Sequence, residues 1–228
     1  MQNRRGEGVR LRGDIVSAAS AILEETGNED AITLRGVARR VGIAAPSIYG
    51  HFADADAIIV AVLADTFEEL DAALRAATGP AVGSSGATSP RATSPDPLRS
   101  LCAAYLDFAR THPHRYRVLF ARHRTGGAFA MTDTRAIDEL AGAQAFHRLV
   151  ASVAIHTGTG PDRSTIADAT ALWVALHGYA SLQSALPAFP WPDAAHMLDT
   201  LIERLVPGRP PSPNHHQAGN EEDNSPQR

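Results

Sequence analysis

Between Thr33 and Phe52 the chain gathers side chains suited to phosphate oxygens and base edges: the hydroxyls of Thr33, Ser47 and Tyr49, the imidazole of His51, and the guanidinium groups of Arg35, Arg39 and Arg40. Such groups donate to phosphate, and a helix start adds free backbone N–H groups. Ala44, Ala45 and Pro46 carry few hydrogen-bonding groups and suit contact with a thymine methyl. Tyr49 fits either a phosphate contact or a core aromatic with a surface hydroxyl; Arg39 and Arg40 fit either contact or a solvated face. Covalent chemistry has no comparable constellation. There is no Gly-rich phosphate loop, H-E-x-x-H, nucleophile elbow or carboxylate pair at a fixed helical spacing. His112, His114 and His123 lack a carboxylate or thiolate at ligand spacing, so no metal and no cofactor is expected.

Two short helices joined by a tight turn must carry the first group. Leu34, Val37, Ala38 and Val41 share a face, Thr33 caps the start and Gly42 ends the helix where a left-handed residue is cheapest. Pro46, with φ preset for a first turn, restarts it. This is helix-turn-helix spacing. Ahead of it, Leu11, Ile15, Ala18, Ala19, Ile22 and Leu23 form an amphipathic helix ending at Gly27 that covers the apolar side. Residues 1–10 are expected to be a flexible arm. After Phe52, with Asp54 as cap, Ile58, Ile59, Val62, Leu63, Phe67, Leu70 and Leu74 continue a fourth helix to about Arg75.

Charge must act locally, because the formal net charge is −4. Arg4, Arg5, Arg10 and Arg12 against Glu7 make the first dozen residues a basic patch, whereas Asp54 to Asp71 carries only carboxylates. All 21 basic residues are arginine, which coding bias explains better than mechanism. A hydrophobic share of 44% with 20% charged is an ordinary globular balance. No run approaches the roughly 18 apolar residues of a membrane span, and the start has no signal-peptide core. The expected location is the cytoplasm. Cys102, the single cysteine, is expected as a small core residue.

The rest is helical again. Thr78 to Pro97, rich in Gly, Pro, Ser and Thr, is expected as a disordered loop. Helices follow from Leu98 to Thr111, from Pro113 to Arg122, from Thr134 to about His156, from Ser164 to about Leu186, and from Asp193 to about Leu205, with a disordered tail over 207–228. The arginines from Arg99 to Arg124 fit a solvated face. The expected fold class is all-α, with about nine helices: a helix-turn-helix domain over 11–53 and a helical bundle over 54–206. The helix from Ser164 is apolar around much of its circumference, which calls for cover on two sides and hence a second subunit. The expected dimer surface is Leu176, Tyr179, Leu182, Met197, Leu198, Leu201, Ile202 and Leu205.

The combination T-L-R-x-V-A-R-R-V-G, a turn, then P-S-I-Y-x-H-F resembles the DNA-binding domain of the TetR family of bacterial regulators over about residues 11–60. The second half is similar to a C-terminal class of that family named for a Trp-His-Gly motif, through Trp173, His177, Gly178 and the run R-Y-R-V-L-F at Arg115 to Phe120. The resemblance implies a homodimer that reads a palindromic double-stranded DNA operator and is released by a small-molecule effector. On this basis Thr33, Arg35, Ala44 to Ser47, Tyr49 and His51 face DNA, with Arg4, Arg5, Arg10 and Arg12 in support. Tyr105, Phe108, Tyr116, Phe120, Phe146, Trp173 and His177 are the expected effector pocket; aromatics at helical spacing also fit plain core, and His177 also fits a satisfied packing residue. An activator, an effector-free regulator, or an α-helical enzyme or sensor are the alternatives. The sequence departs from the family pattern at Ala44, where a capping Ser or Thr is common, at Gly50 inside the recognition helix, and at Ala55, where a basic residue usually meets phosphate.

Overall fold

The computed structural model describes residues 5–79, 96–121 and 142–208. Among them every regular element is helical: α1 (Arg5–Thr26), α2 (Leu34–Val41), α3 (Ala55–Thr78), α4 (Pro97–Thr111), α5 (Pro113–Ala121), α6 (Ala143–Thr157), α7 (Arg163–Ala185) and α8 (Ala194–Leu205), with two 3-10 segments, Glu29–Ala31 and Ala45–Gly50. The all-α fold class is as expected. Caps explain most boundaries. Thr33, Asp54, Asp96, Asp162 and Asp193 each accept a backbone N–H of the first turn they precede.

Several boundaries differ. Helix α1 begins at Arg5, so residues 5–10 of the expected arm are helical; the part before Arg5 lies outside the described residues. Helix α3 runs to Thr78 and α4 starts at Pro97, taking both ends of the expected 78–97 loop; residues 80–95 lie outside the description. Helix α6 is described from Ala143, and the expected start at Thr134 lies outside, as do His123 and residues 209–228. The largest change is at Ala45–Gly50. It is a 3-10 segment, not an α-helical turn, since Ala44 offers no side-chain cap and Gly50 withdraws helix propensity.

Two buried apolar clusters result. Ile15, Leu23, Ile32, Val37, Ile48, Phe52, Ile58, Ile59 and Val62 fill the head, while Leu70, Leu74, Leu98, Leu101, Cys102, Leu172, Leu176 and Leu198 belong to the body. Helix α3 serves both, its first half in the head and its second in the body. Helix α5 does the same crosswise: Val118 packs into the head cluster and Tyr116 into the body. Cys102 is fully buried, and desolvation pushes its thiol up to about 12, so it behaves as a small apolar residue.

Buried positions correct half of the expected dimer surface. Leu176, Tyr179, Leu198 and Ile202 are buried within the single chain. Met197, Leu201 and Leu205 are half-buried. Only Leu182, 49% exposed, faces out; Ile166 and Val174 of α7 are exposed as well, but eight residues is not a whole number of helical turns, so the three lie on different sides of the helix.

Candidate nucleic-acid interface

Thr33 is extended at φ −116°, and its Oγ1 accepts from the Gly36 N–H at 3.0 Å. A Cβ at position 36 would stand 2.9 Å from that oxygen, so glycine there keeps the cap close. Gly42, at φ 80°, closes α2 in the left-handed region. Ile48 and Phe52 are the anchors of the segment that follows, both essentially buried, and their burial turns the remaining residues outward. Pro46, Ser47 and Tyr49 are exposed, Tyr49 at 63%, with Ala45 and His51 half-buried. Thr33, Arg35, Arg39 and Ala44 are exposed as well. Arg40 is tied elsewhere: its guanidinium donates to both carboxylate oxygens of Glu25 at 2.7 and 2.5 Å, which holds that carboxyl below its ordinary range.

The start of α1 joins this surface. A Cβ placed on Gly8 would lie 3.8 Å from His51 Cε1, and the Arg12 guanidinium sits 4.8 Å from the centroid of the Phe52 ring. Arg10 and Arg12 are exposed. The arginines from Arg5 onward therefore ride on a helix that abuts the end of the Ala45–Gly50 segment; Arg4 lies outside the described residues.

The segment offers one test of its own weakness. Nothing approaches a Cβ built on Gly50 within 4 Å, and its φ is not positive. Gly50→Ala is therefore expected to raise stability by about 0.5 to 1 kcal/mol by restricting the unfolded chain. Urea unfolding checks this, and a lowered midpoint would contradict it.

In the body, six of the seven expected pocket residues touch one another. Tyr105 and Tyr116 meet edge to face, Phe120 contacts Tyr116, Trp173 and His177, and Phe146 meets Trp173 at 6.0 Å. Phe108 departs from the group and lies 5.0 Å from His112. The Tyr116 hydroxyl is 2.8 Å from both the Tyr105 hydroxyl and His177 Nδ1. Burial pushes the Tyr105 phenol up to about 12, raises Tyr116 further and lowers His177, so all three are uncharged at neutral pH. A separate open groove of about 390 Å3, at Thr157, Asp162, Thr165 and Asp168, contains none of these residues.

Between head and body stands a residue the sequence places on a solvated face. Arg115 is 7% exposed; its Nε donates to Glu24 Oε1 of α1 at 3.0 Å, its Nη1 to Glu69 Oε2 of α3 at 2.7 Å, and its Nη2 to His112 Nδ1 at 2.6 Å. Its neighbours complete a cap on the end of α1. His114 Nδ1 donates to the Glu24 carbonyl at 2.8 Å, and the Arg117 guanidinium donates to the Gly27 carbonyl. The Glu24 carbonyl lies in the last turn, where a helix leaves acceptors unpaired, and Gly27 directly follows the helix.

A helix-turn-helix head on a helical body defines a class, and comparison with known proteins fills it in. Residues 98–206 match the family described as the tetracyclin repressor-like C-terminal domain. No curated protein matches the chain. Among solved structures, a protein of unknown function from Rhodococcus sp. RHA1 superposes with a TM-score of 0.64 at 22% identity, covering 86% of this chain and 93% of that one. A tetR-family transcriptional regulator from Streptomyces coelicolor gives 0.61 at 16% identity, covering 85% and 78%. The transcriptional regulator FadR from Bacillus subtilis, solved in complex with stearoyl-CoA, gives 0.60 at 13%, covering 86% and 97%. Residues 98–206 are thus similar to a tetracyclin repressor-like C-terminal domain, and the described residues share the fold of these solved structures. Trp173, His177 and Gly178 lie within the matched domain, on α7.

Proposed function

We propose that this chain is a cytoplasmic, DNA-binding transcriptional regulator without a reaction of its own, which represses from a palindromic operator as a homodimer and is released by a small molecule. The observation that carries the reading is that Thr33, Ser47 and Tyr49 are all exposed while Ile48 and Phe52 are buried, with the start of α1 beside His51. The head takes residues 11–53 with the α1 extension, and the body 54–206. The effector site is the aromatic group around Trp173 and His177; because its described members pack on one another, an effector must part them, and α5 would then move. The fold neighbour from B. subtilis supports a small-molecule site in a body of this shape.

The dimer surface is the part of α7 that carries the exposed Val174 and Leu182, continued by Leu186 and Phe189, with the half-buried Met197, Leu201 and Leu205 of α8 at its edge. No described helix is long and apolar enough to cross a membrane. Exposed apolar residues grouped at one end of α7 and after it call for cover, here by a second copy of the chain. Gel-shift titration with the DNA upstream of the chain's own gene tests the reading, and shifted complexes that survive excess unrelated DNA are expected. Leu182→Glu buries an unpaired charge at the proposed interface and should weaken dimerisation by about 3 kcal/mol, more than 100-fold. Sedimentation of a dimer unchanged by the substitution would exclude this surface.

A further inference from the structure

We propose that the Tyr105–Tyr116–His177 row is a proton-sensitive latch on α5: it seats this helix, and through it the head, only while His177 is neutral. Helix α5 has two working faces. Arg115, His114 and Arg117 grip the end of α1, whereas Tyr116 and Phe120 face the body. Adjacent residues on one short helix therefore connect the row to the head.

The row has one arrangement of protons that leaves none stranded. Tyr116, 4% exposed, stands 2.8 Å from two acceptors and has one proton. With His177 neutral and Nδ1 bare, Tyr116 donates to Nδ1 and accepts from Tyr105. With His177 as imidazolium, Nδ1 becomes a donor, Tyr116 must turn its proton to Tyr105, and the Tyr105 proton then loses the acceptor it had in Tyr116. A buried hydroxyl left unsatisfied is costly, so the charged form favours release of Tyr116.

The groups that face the imidazole are the phenol of Tyr116 and the ring of Phe120 on α5 and the indole of Trp173 on α7, with Tyr105 of α4 one step behind Tyr116. Burial is what lowers the His177 value below 6.5. On the opposite face of α5, His112, His114 and Arg115 sit with Glu24 and Glu69, and Asp65, raised by burial and by Glu69 and Glu68, lies near Arg115. Because the folded chain binds the His177 proton less readily than the unfolded chain, the stabilising contribution is full above about pH 6.5 and is lost as pH falls below it.

The DNA arm of the test rests on the regulator reading; the other arm does not. His177→Asn places an oxygen where Nδ1 stands, so it accepts from Tyr116 without titrating. Thermal midpoint, tryptophan fluorescence and affinity for the duplex upstream of the gene are measured from pH 8 to pH 5 on the full chain, each variant normalised to its own value at pH 8. His51, His112 and His114 are shared by both proteins and cancel. The wild type should lose at least tenfold more affinity than the Asn variant by pH 5.5 and show an additional fall in midpoint. Tyr116→Phe, which removes the row without adding charge, should also flatten the wild-type step. Superimposable thermal profiles for wild type and both variants overturn the latch. A thermal difference without DNA binding at any pH keeps the latch and removes the regulator reading.

Discussion

Arg115→Leu is expected to cost about 2 to 3 kcal/mol in urea unfolding. Removing one member of a buried ion cluster strands its partners, which for full burial costs about 3 to 5 kcal/mol. The discount follows from exposure: the Arg115 side chain is 9% exposed, but those of Glu24 and Glu69 are 26% and 44%. Lysine should not rescue it, because one ammonium cannot hold Glu24, Glu69 and His112 in the observed directions. The same substitution should separate head from body functionally. Under the proposed function an effector acts by favouring one arrangement over the other, with coupling of about 1 to 3 kcal/mol, and Arg115 is the side chain that ties α5 to α1 and α3. Operator affinity should then respond less to ligand than in wild type. A stability change below about 0.5 kcal/mol, as for an exposed ion pair, would show that the cluster is ornamental.

The second large effect concerns salt. Replacing Arg4, Arg5 and Arg10 with alanine should lower operator affinity and make log K less steep against log salt, by about 0.9 for each phosphate that is no longer neutralised. The basis is geometric as well as electrostatic. Gly8 stands beside His51 and Arg12 over Phe52, so the α1 start borders the surface proposed to face DNA, while Ala55, flanked by Asp54 and Asp56, brings no cation to it. Arg12 is left in place because its position on Phe52 gives it a packing role. An unchanged slope would show that the α1 start does not touch DNA.

Local signals are the legible ones. Thr33, Gly42, Pro46 and Asp54 punctuate the head because a cap or a left-handed residue acts within a turn of itself. The uncapped Ala44 and Gly50 point to a weak helix at Ala45–Gly50, though not to a change of helix type. Two glycines, Gly6 and Gly8, hide the early start of α1. Non-local pairings are invisible: Arg115 lies 91 residues from Glu24 and 46 from Glu69, so a run of arginines looks solvated. Helix α7 shows why the dimer residues split. Apolar on nearly every side, it does not reveal which face the chain covers itself. The body takes Leu172, Leu176 and Tyr179 and leaves Ile166, Val174 and Leu182 outward.

Everything proposed for the head depends on two copies of it meeting one duplex. A hydroxyl-radical footprint on the DNA upstream of the gene decides whether they do. Two related half-sites are expected, with centres about 34 to 36 Å apart on one face, one helical turn or a multiple of it, and Tyr49→Ala should erase both together. Protection of no discrete site at low salt, or of a lone half-site by the intact protein, would contradict it.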